Sequence, residues 1–154
     1  MKVKKVKICV VASGGGHFSQ LLKLADSWAG HETVCVTTTG VIRDKLSKFD
    51  KVYVVGECNR WQPARVIRVL LRCAIIVFRE KPQVVISTGA AAGCIGCFLS
   101  KLIGAKIIWI DSITNVEKLS LSGQMVRYIA DLFLVQWPEL AKKYKNVEFA
   151  GTVI

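Results

Sequence analysis

A chain of 154 residues, 52% apolar with a net charge of +11, fits a single domain over 1–154 with a full-sized core. No run reaches the roughly 18–20 uninterrupted apolar residues needed to cross a bilayer, and the longest candidate, Val66–Phe78, is broken by Arg68 and Arg72. The charge calls for an anionic partner; without zinc-finger spacing, an aromatic RNA-binding signature or a lysine-rich tail, acidic lipid or a phosphorylated substrate is favoured over nucleic acid.

The chain opens on "MKVKKVKICVVASGGG", a basic start followed by a short apolar run, Ile8–Ala12, too short for a secretory signal. From there short β-branched runs alternate with helical patterns. In chain order, a strand over Val6–Ala12 is followed by a helix over Phe18–Trp28, a strand over Thr33–Thr38 and a helix over Val41–Lys48. Next come a strand over Lys51–Gly56, a helix over Pro63–Glu80, a strand over Gln83–Ser87 and a helix over Ala91–Ile103. A strand over Lys106–Asp111, a helix over Gln124–Ile129, a strand over Leu132–Gln136, a helix over Glu139–Tyr144 and a strand over Val147–Ala150 complete the series. Runs such as "VKICVVA", "QVVIS" and "KIIWI" are almost continuously apolar, as strands buried on both faces of a parallel sheet are. The alternation predicts an α/β domain, a Rossmann-like doubly wound parallel sheet.

Such sheets bind ligands beyond the carboxyl ends of their strands. That rule selects the loops Ser13–His17, Thr88–Gly93 and Ser112–Gly123. The first two run into helix N-termini, whose free N–H groups attract anions; glycines that only permit tight turns are the alternative. A P-loop needs Lys-Ser/Thr after its last glycine, and here His17-Phe18 follows. A dinucleotide fingerprint needs a third glycine where Ser19 stands and an acid where the second strand ends in Thr37-Thr38-Thr39. His17, at the junction of loop and helix, suits a general base or a phosphate or hydroxyl contact, or else packs as a helix-end residue. Asp111, ending "KIIWID", can accept a sugar proton or cap its loop through Ser112 or Thr114.

The six cysteines lie mostly in apolar runs, and Cys94-x-x-Cys97 reads as a pair of small core residues rather than a redox or metal pair. In "RWQPARVIRVLLRCAIIVFREKP", Arg65, Arg68, Arg72 and Arg79 follow one helical face among apolar residues, with Trp61 at its start. That pattern predicts an interfacial helix on an anionic membrane surface, the alternative being an ordinary crossover helix with a basic solvated face.

The strings "SGGGHFSQLL", "VVISTGAAAG", "KIIWIDSITNVEKLSLSGQMVRYIADLFLVQWPEL" and "AGTVI" resemble the acceptor-side subunit of two-part glycosyltransferases. One branch of that family is the membrane-recruiting subunit of the dolichol-pathway UDP-N-acetylglucosamine transferase. The other is its bacterial PssD/CpsF-type counterpart in capsule and exopolysaccharide synthesis, which fits better because the N-terminal transmembrane helix of eukaryotic members is absent. The resemblance covers nearly the whole chain and implies the N-terminal half of a GT-B fold. A separate small subunit would hold the UDP-sugar, and this chain would bind a polyprenyl-diphosphate-linked saccharide at the cytoplasmic membrane face without metal or cofactor. The resemblance places the acceptor diphosphate against Ser13, Gly14, Gly15 and Gly16, with Ser87, Thr88, Gly89, Ser120, Ser122 and Gly123 bordering the cleft. It leaves His17 or Asp111 to take the proton. Family members often carry Glu at the position of Asp111 and Arg at that of Asn115.

Overall fold

The strand β1 (Lys7–Ala12) is apolar on both faces because it lies inside the sheet, paired in parallel with β2 (Glu32–Thr37) on one side and β4 (Val84–Ser87) on the other. The computed structural model describes residues 4–40 and 43–153. Among these residues β3 (Lys51–Val54), β5 (Lys106–Ile110), β6 (Leu132–Val135) and β7 (Glu148–Phe149) complete one parallel sheet in the order β3-β2-β1-β4-β5-β6-β7. The winding reverses between β1 and β4, which makes their carboxyl ends the switch point.

Successive strand residues point to opposite faces, so the sheet sorts its apolar side chains into two cores. Ile8, Val10 and Ala12 of β1 pack with Phe18 and Leu21 of α1 (Gly16–Lys23), Trp28, and Leu46 of α2 (Arg43–Leu46). Cys9 and Val11 face the opposite layer, where Val69, Cys73 and Ile76 come from α3 (Pro63–Glu80) and Ala92, Cys94 and Cys97 from α4 (Ala90–Leu102). Val126 of α5 (Leu121–Val126) and Leu140 of α6 (Pro138–Lys143) extend that layer. Cys94 and Cys97 are thus buried in a helix interior, where burial pushes the Cys94 thiol up to about 11 and Cys97 higher still.

The elements differ from the sequence reading at their ends. The helix expected over Phe18–Trp28 begins at Gly16, stops at Lys23, and continues as a 3-10 turn over Ala25–Trp28 that buries Trp28. Asp26 and Ser27 are poor helix formers, and the tighter turn satisfies the local backbone through Ser27 N–H to Leu24 O. The third strand stops at Val54 because Gly56, at φ +90°, turns the chain away. The helix expected over Gln124–Ile129 starts at Leu121, since the Ser120 hydroxyl caps it by accepting from Gly123 N–H at 2.9 Å. Of the second expected helix, Val41 and Ile42 lie outside the described residues.

At the amino edge of the sheet, Glu80 closes α3 with its side chain only 3% exposed. Lys51 Nζ lies 2.9 Å away, Lys7 Nζ 3.3 Å, and the Tyr53 hydroxyl donates at 2.5 Å. Burial alone would raise this carboxyl, but the hydrogen bonds from Lys51, Tyr53 and Lys7 prevail and hold it down at about 2. A depressed carboxylate stabilises the fold above its unfolded value near 4.5 and loses that contribution as the pH falls toward 2. Replacing Glu80 by Gln is expected to cost about 2–3 kcal/mol at pH 7 and much less at pH 2.5, measured by urea denaturation.

Candidate functional site

Two loops meet at the switch point, and His17 joins them. Its Nδ1 lies 2.8 Å from the Thr88 carbonyl, while the Thr88 hydroxyl donates back to the His17 carbonyl at 2.6 Å. A carbonyl only accepts, so Nδ1 carries the proton in this contact, and the neutral ring keeps a lone pair on Nε2. Among the described residues Nε2 has no hydrogen-bond partner, and the residue is half-buried. The reciprocal pair bridges 71 residues of sequence and fixes the ring against Gly89. A Cβ on Gly89 would sit 2.8 Å from the ring, and its φ of +131° is one that side chains rarely adopt, so only glycine admits the imidazole there. Ala90, opening α4 at φ +68°, is a non-glycine residue in the left-handed region beside it.

The glycine loop itself is bolted down at one end and open at the other. Gly14 N–H donates to the Thr38 hydroxyl at 2.9 Å, whereas a Cβ added to Gly15 or Gly16 would meet nothing within 4 Å. Gly15 and Gly16 therefore leave an uncrowded approach to the first turn of α1, the arrangement that admits an anion to backbone N–H groups.

Most of the hydroxyls expected to touch the acceptor are used inside the protein. Ser87 is fully buried and its Oγ accepts from Gly89 N–H at 3.3 Å; Thr88 is buried and bound to His17. Ser120 caps α5 and donates to Asp111 at 2.6 Å, and Gly123 closes against both. Ser13 and Ser122 are half-buried.

Asp111 is placed differently from the expected proton acceptor. It is 1% exposed, and four donors fill its carboxylate: Trp109 Nε1 at 3.1 Å and Ser120 Oγ on Oδ1, Ser120 N–H at 2.9 Å and Asn115 Nδ2 at 3.2 Å on Oδ2. The cap also runs through Ser120 and Asn115, not through Ser112 or Thr114, which bond each other at 3.0 Å. Asp111 thus folds the loop 112–120 back onto the end of β5.

Two residues at this edge escaped the sequence reading. Gln136, 2% exposed at the end of β6, donates to the Asp111 carbonyl at 3.0 Å and accepts from Val153 N–H at 2.9 Å. Trp137 Nε1 donates to the Ile113 carbonyl at 2.7 Å. Together they lash the closing segment and the loop after β5 to the same edge; the signal was a buried-type strand, "LFLV", ending in a polar residue.

The basic helix carries its charges on one flank and its exposed apolar residues on another. Val69, Cys73, Ile76 and Glu80 of α3 face the sheet, whereas Ile67, Leu71, Ile75 and Phe78 point outward and are 54–66% exposed. Trp61 is 78% exposed just before the helix. The expected stripe of Arg65, Arg68, Arg72 and Arg79 is exposed between that apolar face and the edge strand β3, with Arg72 Nη1 donating to the Val55 carbonyl at 3.1 Å. Among the described residues no helix is long and apolar enough to cross a membrane.

A single Rossmann-like sheet with an open, glycine-lined edge at its switch point defines the class of protein. Solved structures share this fold. It matches the crystal structure of Acinetobacter baumannii MurG with a TM-score of 0.77 at 13% identity, over 97% of this chain and 46% of that one. It also matches Methanocaldococcus jannaschii UDP-GlcNAc 2-epimerase in complex with UDP-GlcNAc and UDP, with a TM-score of 0.70 at 12% identity, over 95% and 46%. The chain spans about half the length of these structures, and the likeness is one of fold.

The particular family follows from sequence. The model for "Oligosaccharide biosynthesis protein Alg14 like" matches residues 36–153, and the chain belongs to that family. It is 30% identical to the UDP-N-acetylglucosamine transferase subunit ALG14 of Yarrowia lipolytica, over 96% of this chain and 81% of the relative. The human subunit of the same name is 26% identical over 98% and 84%.

Proposed function

We propose that this chain is the acceptor-side subunit of a heteromeric, inverting glycosyltransferase working at a membrane surface. It binds a polyprenyl-diphosphate-linked sugar and turns one acceptor hydroxyl toward a UDP-sugar held by a smaller partner subunit. The observation that carries this reading is the open switch-point edge, where the uncrowded Gly15–Gly16 backbone lies beside a His17 whose Nδ1 is committed and whose Nε2 is not. Family membership, with relatives named as subunits of a UDP-N-acetylglucosamine transferase, supports the reaction class and a partner subunit.

In the proposed reaction the acceptor oxygen attacks the anomeric carbon of the donor, the bond to UDP breaks, and Nε2 of His17 takes the hydroxyl proton. The first turn of α1 holds a phosphate of the acceptor, and neither metal nor cofactor is required on this chain. The outward apolar face of α3, with Trp61 and the arginine flank, rests on the anionic cytoplasmic surface as a peripheral contact. We place the protein in bacterial capsule or exopolysaccharide synthesis, in line with its resemblance to the PssD/CpsF-type branch.

The test is co-expression with a candidate small glycosyltransferase subunit, assayed for sugar transfer to a lipid-diphosphate-linked acceptor. Transfer by the pair and by neither chain alone is expected; full activity from the partner alone would remove the acceptor role. A second reading, a non-catalytic scaffold that recruits and activates the partner at the membrane, is favoured by the sealed Asp111. Under that reading turnover survives loss of His17, while membrane association depends on α3.

A further inference from the structure

Beside the apolar face of α3 lies a cleft that the acceptor site does not use. It measures about 250 Å³ and is lined by Val55, Gly56 and Glu57 after β3 and by Arg65, Arg68 and Arg72 on the first three turns of α3. The spacing of three and four residues stacks the guanidinium groups along one flank of the helix. Arg72 is tied to the Val55 carbonyl, and its Nη1 stands 3.8 Å from where a Cβ on Gly56 would sit, which builds one wall. Among the described residues Arg65 and Arg68 have no ion-pair partner; Glu57, the one carboxylate in the lining, pairs with none of them. Three guanidinium groups against one carboxylate leave a cationic pocket, with forked donors that suit tetrahedral oxyanions.

We propose that this cleft is a phosphate seat, filled by the headgroup phosphate of an anionic membrane lipid. The inference rests on the membrane reading above and adds a defined site to it. Leu71 and Ile75 project from the outward face of the same two turns that carry Arg68 and Arg72. A helix lying at the interface with that face down brings the cleft to headgroup depth. Chains inserted against Leu71 and Ile75 would leave their phosphates level with the arginines, and the seat would fix the rotation of the domain about α3. The carboxyl edge of β1 and β4, two and three strands from β3 in the same sheet, would then take a defined orientation to the surface.

The experiment compares the full chain with two variants that lose equal charge. One is Arg65→Gln/Arg68→Gln, which leaves the Arg72–Val55 tie in place; the other is Lys45→Gln/Lys48→Gln, on the opposite layer. Each is titrated with vesicles of phosphatidylcholine containing 30% phosphatidylglycerol, and with soluble glycerol 3-phosphate while the amide signals of Gly56 and Glu57 are followed by NMR. The arginine variant is expected to bind vesicles at least tenfold more weakly, and the lysine variant within twofold of the parent. The Gly56 amide is expected to shift with glycerol 3-phosphate in the parent and not in the arginine variant. Equal weakening in both variants, or a Gly56 signal that stays fixed, would overturn the seat in favour of diffuse charge. If the parent ignores vesicles while Gly56 still titrates, the lipid occupant is overturned and the membrane reading falls with it, leaving a site for a soluble phosphate.

Discussion

Replacing His17 by Asn is expected to lower turnover of the assembled transferase by about 10²–10⁴-fold while leaving the chain folded. The choice of Asn separates the two jobs that the structure gives this residue. The side-chain amide of Asn places an N–H near the position of Nδ1, so the bond to the Thr88 carbonyl at 2.8 Å can persist and the two loops stay joined. What Asn cannot supply is the second ring nitrogen, which has no hydrogen-bond partner among the described residues. His17→Ala removes both, and is expected to add a loss of roughly 1–2 kcal/mol in stability through the broken tie. Steady-state transfer assays, with thermal unfolding of each variant, make the comparison. Turnover within threefold of the parent in the Asn variant would assign His17 to the frame alone and favour the scaffold reading.

The fold was readable because the strands that form its centre are sequence-continuous and apolar on both sides. β1, β4 and β5 sit where "VKICVVA", "QVVIS" and "KIIWI" placed them, and the winding followed from their alternation with helices. Helix ends were less legible where exposed apolar residues blurred the period. Leu121, Met125 and Tyr128 are all more than half exposed, so the apolar pattern of α5 pointed away from its real start, which the Ser120 cap sets. The site was legible as a list of loops and not as a geometry. Nothing local to "SGGGHFS" indicates that His17 bonds a carbonyl 71 residues away, or that Ser87 and Thr88 turn inward. In α3 the residue types predicted an interfacial helix, but which flank packs on the sheet depends on where β3 ends. That contact turns Ile67, Leu71, Ile75 and Phe78 outward and sets the arginines over the sheet edge.

Asp111 gives the other large effect, and here the expected loss is in stability. A carboxylate with 1% exposure and four donors is a latch: Trp109 Nε1, Asn115 Nδ2 and both the N–H and hydroxyl of Ser120 converge on it. Asp111→Ala leaves the buried Trp109 Nε1 and the half-buried donors of Asn115 and Ser120 without their acceptor, each lost partner costing on the order of 1–3 kcal/mol where water cannot replace it. With partial relaxation the total is expected at about 3–5 kcal/mol, a fall of roughly 8–15 °C in Tm for a domain of this size. Asp111→Asn keeps one acceptor oxygen but turns an amide N–H₂ toward groups that themselves donate, so about half that loss is expected. The Ser120 hydroxyl also accepts from Gly123 N–H, so the damage passes to the first turn of α5 and to the loop 112–120. Urea denaturation and amide exchange over 112–126 read the latch directly. Transfer assays well below the variant's Tm read the chemistry, and a latch predicts that Asp111→Asn retains turnover within about fivefold. Stability unchanged in Asp111→Asn, together with turnover abolished, would instead return Asp111 to the role of proton acceptor and require the loop after β5 to open during the reaction.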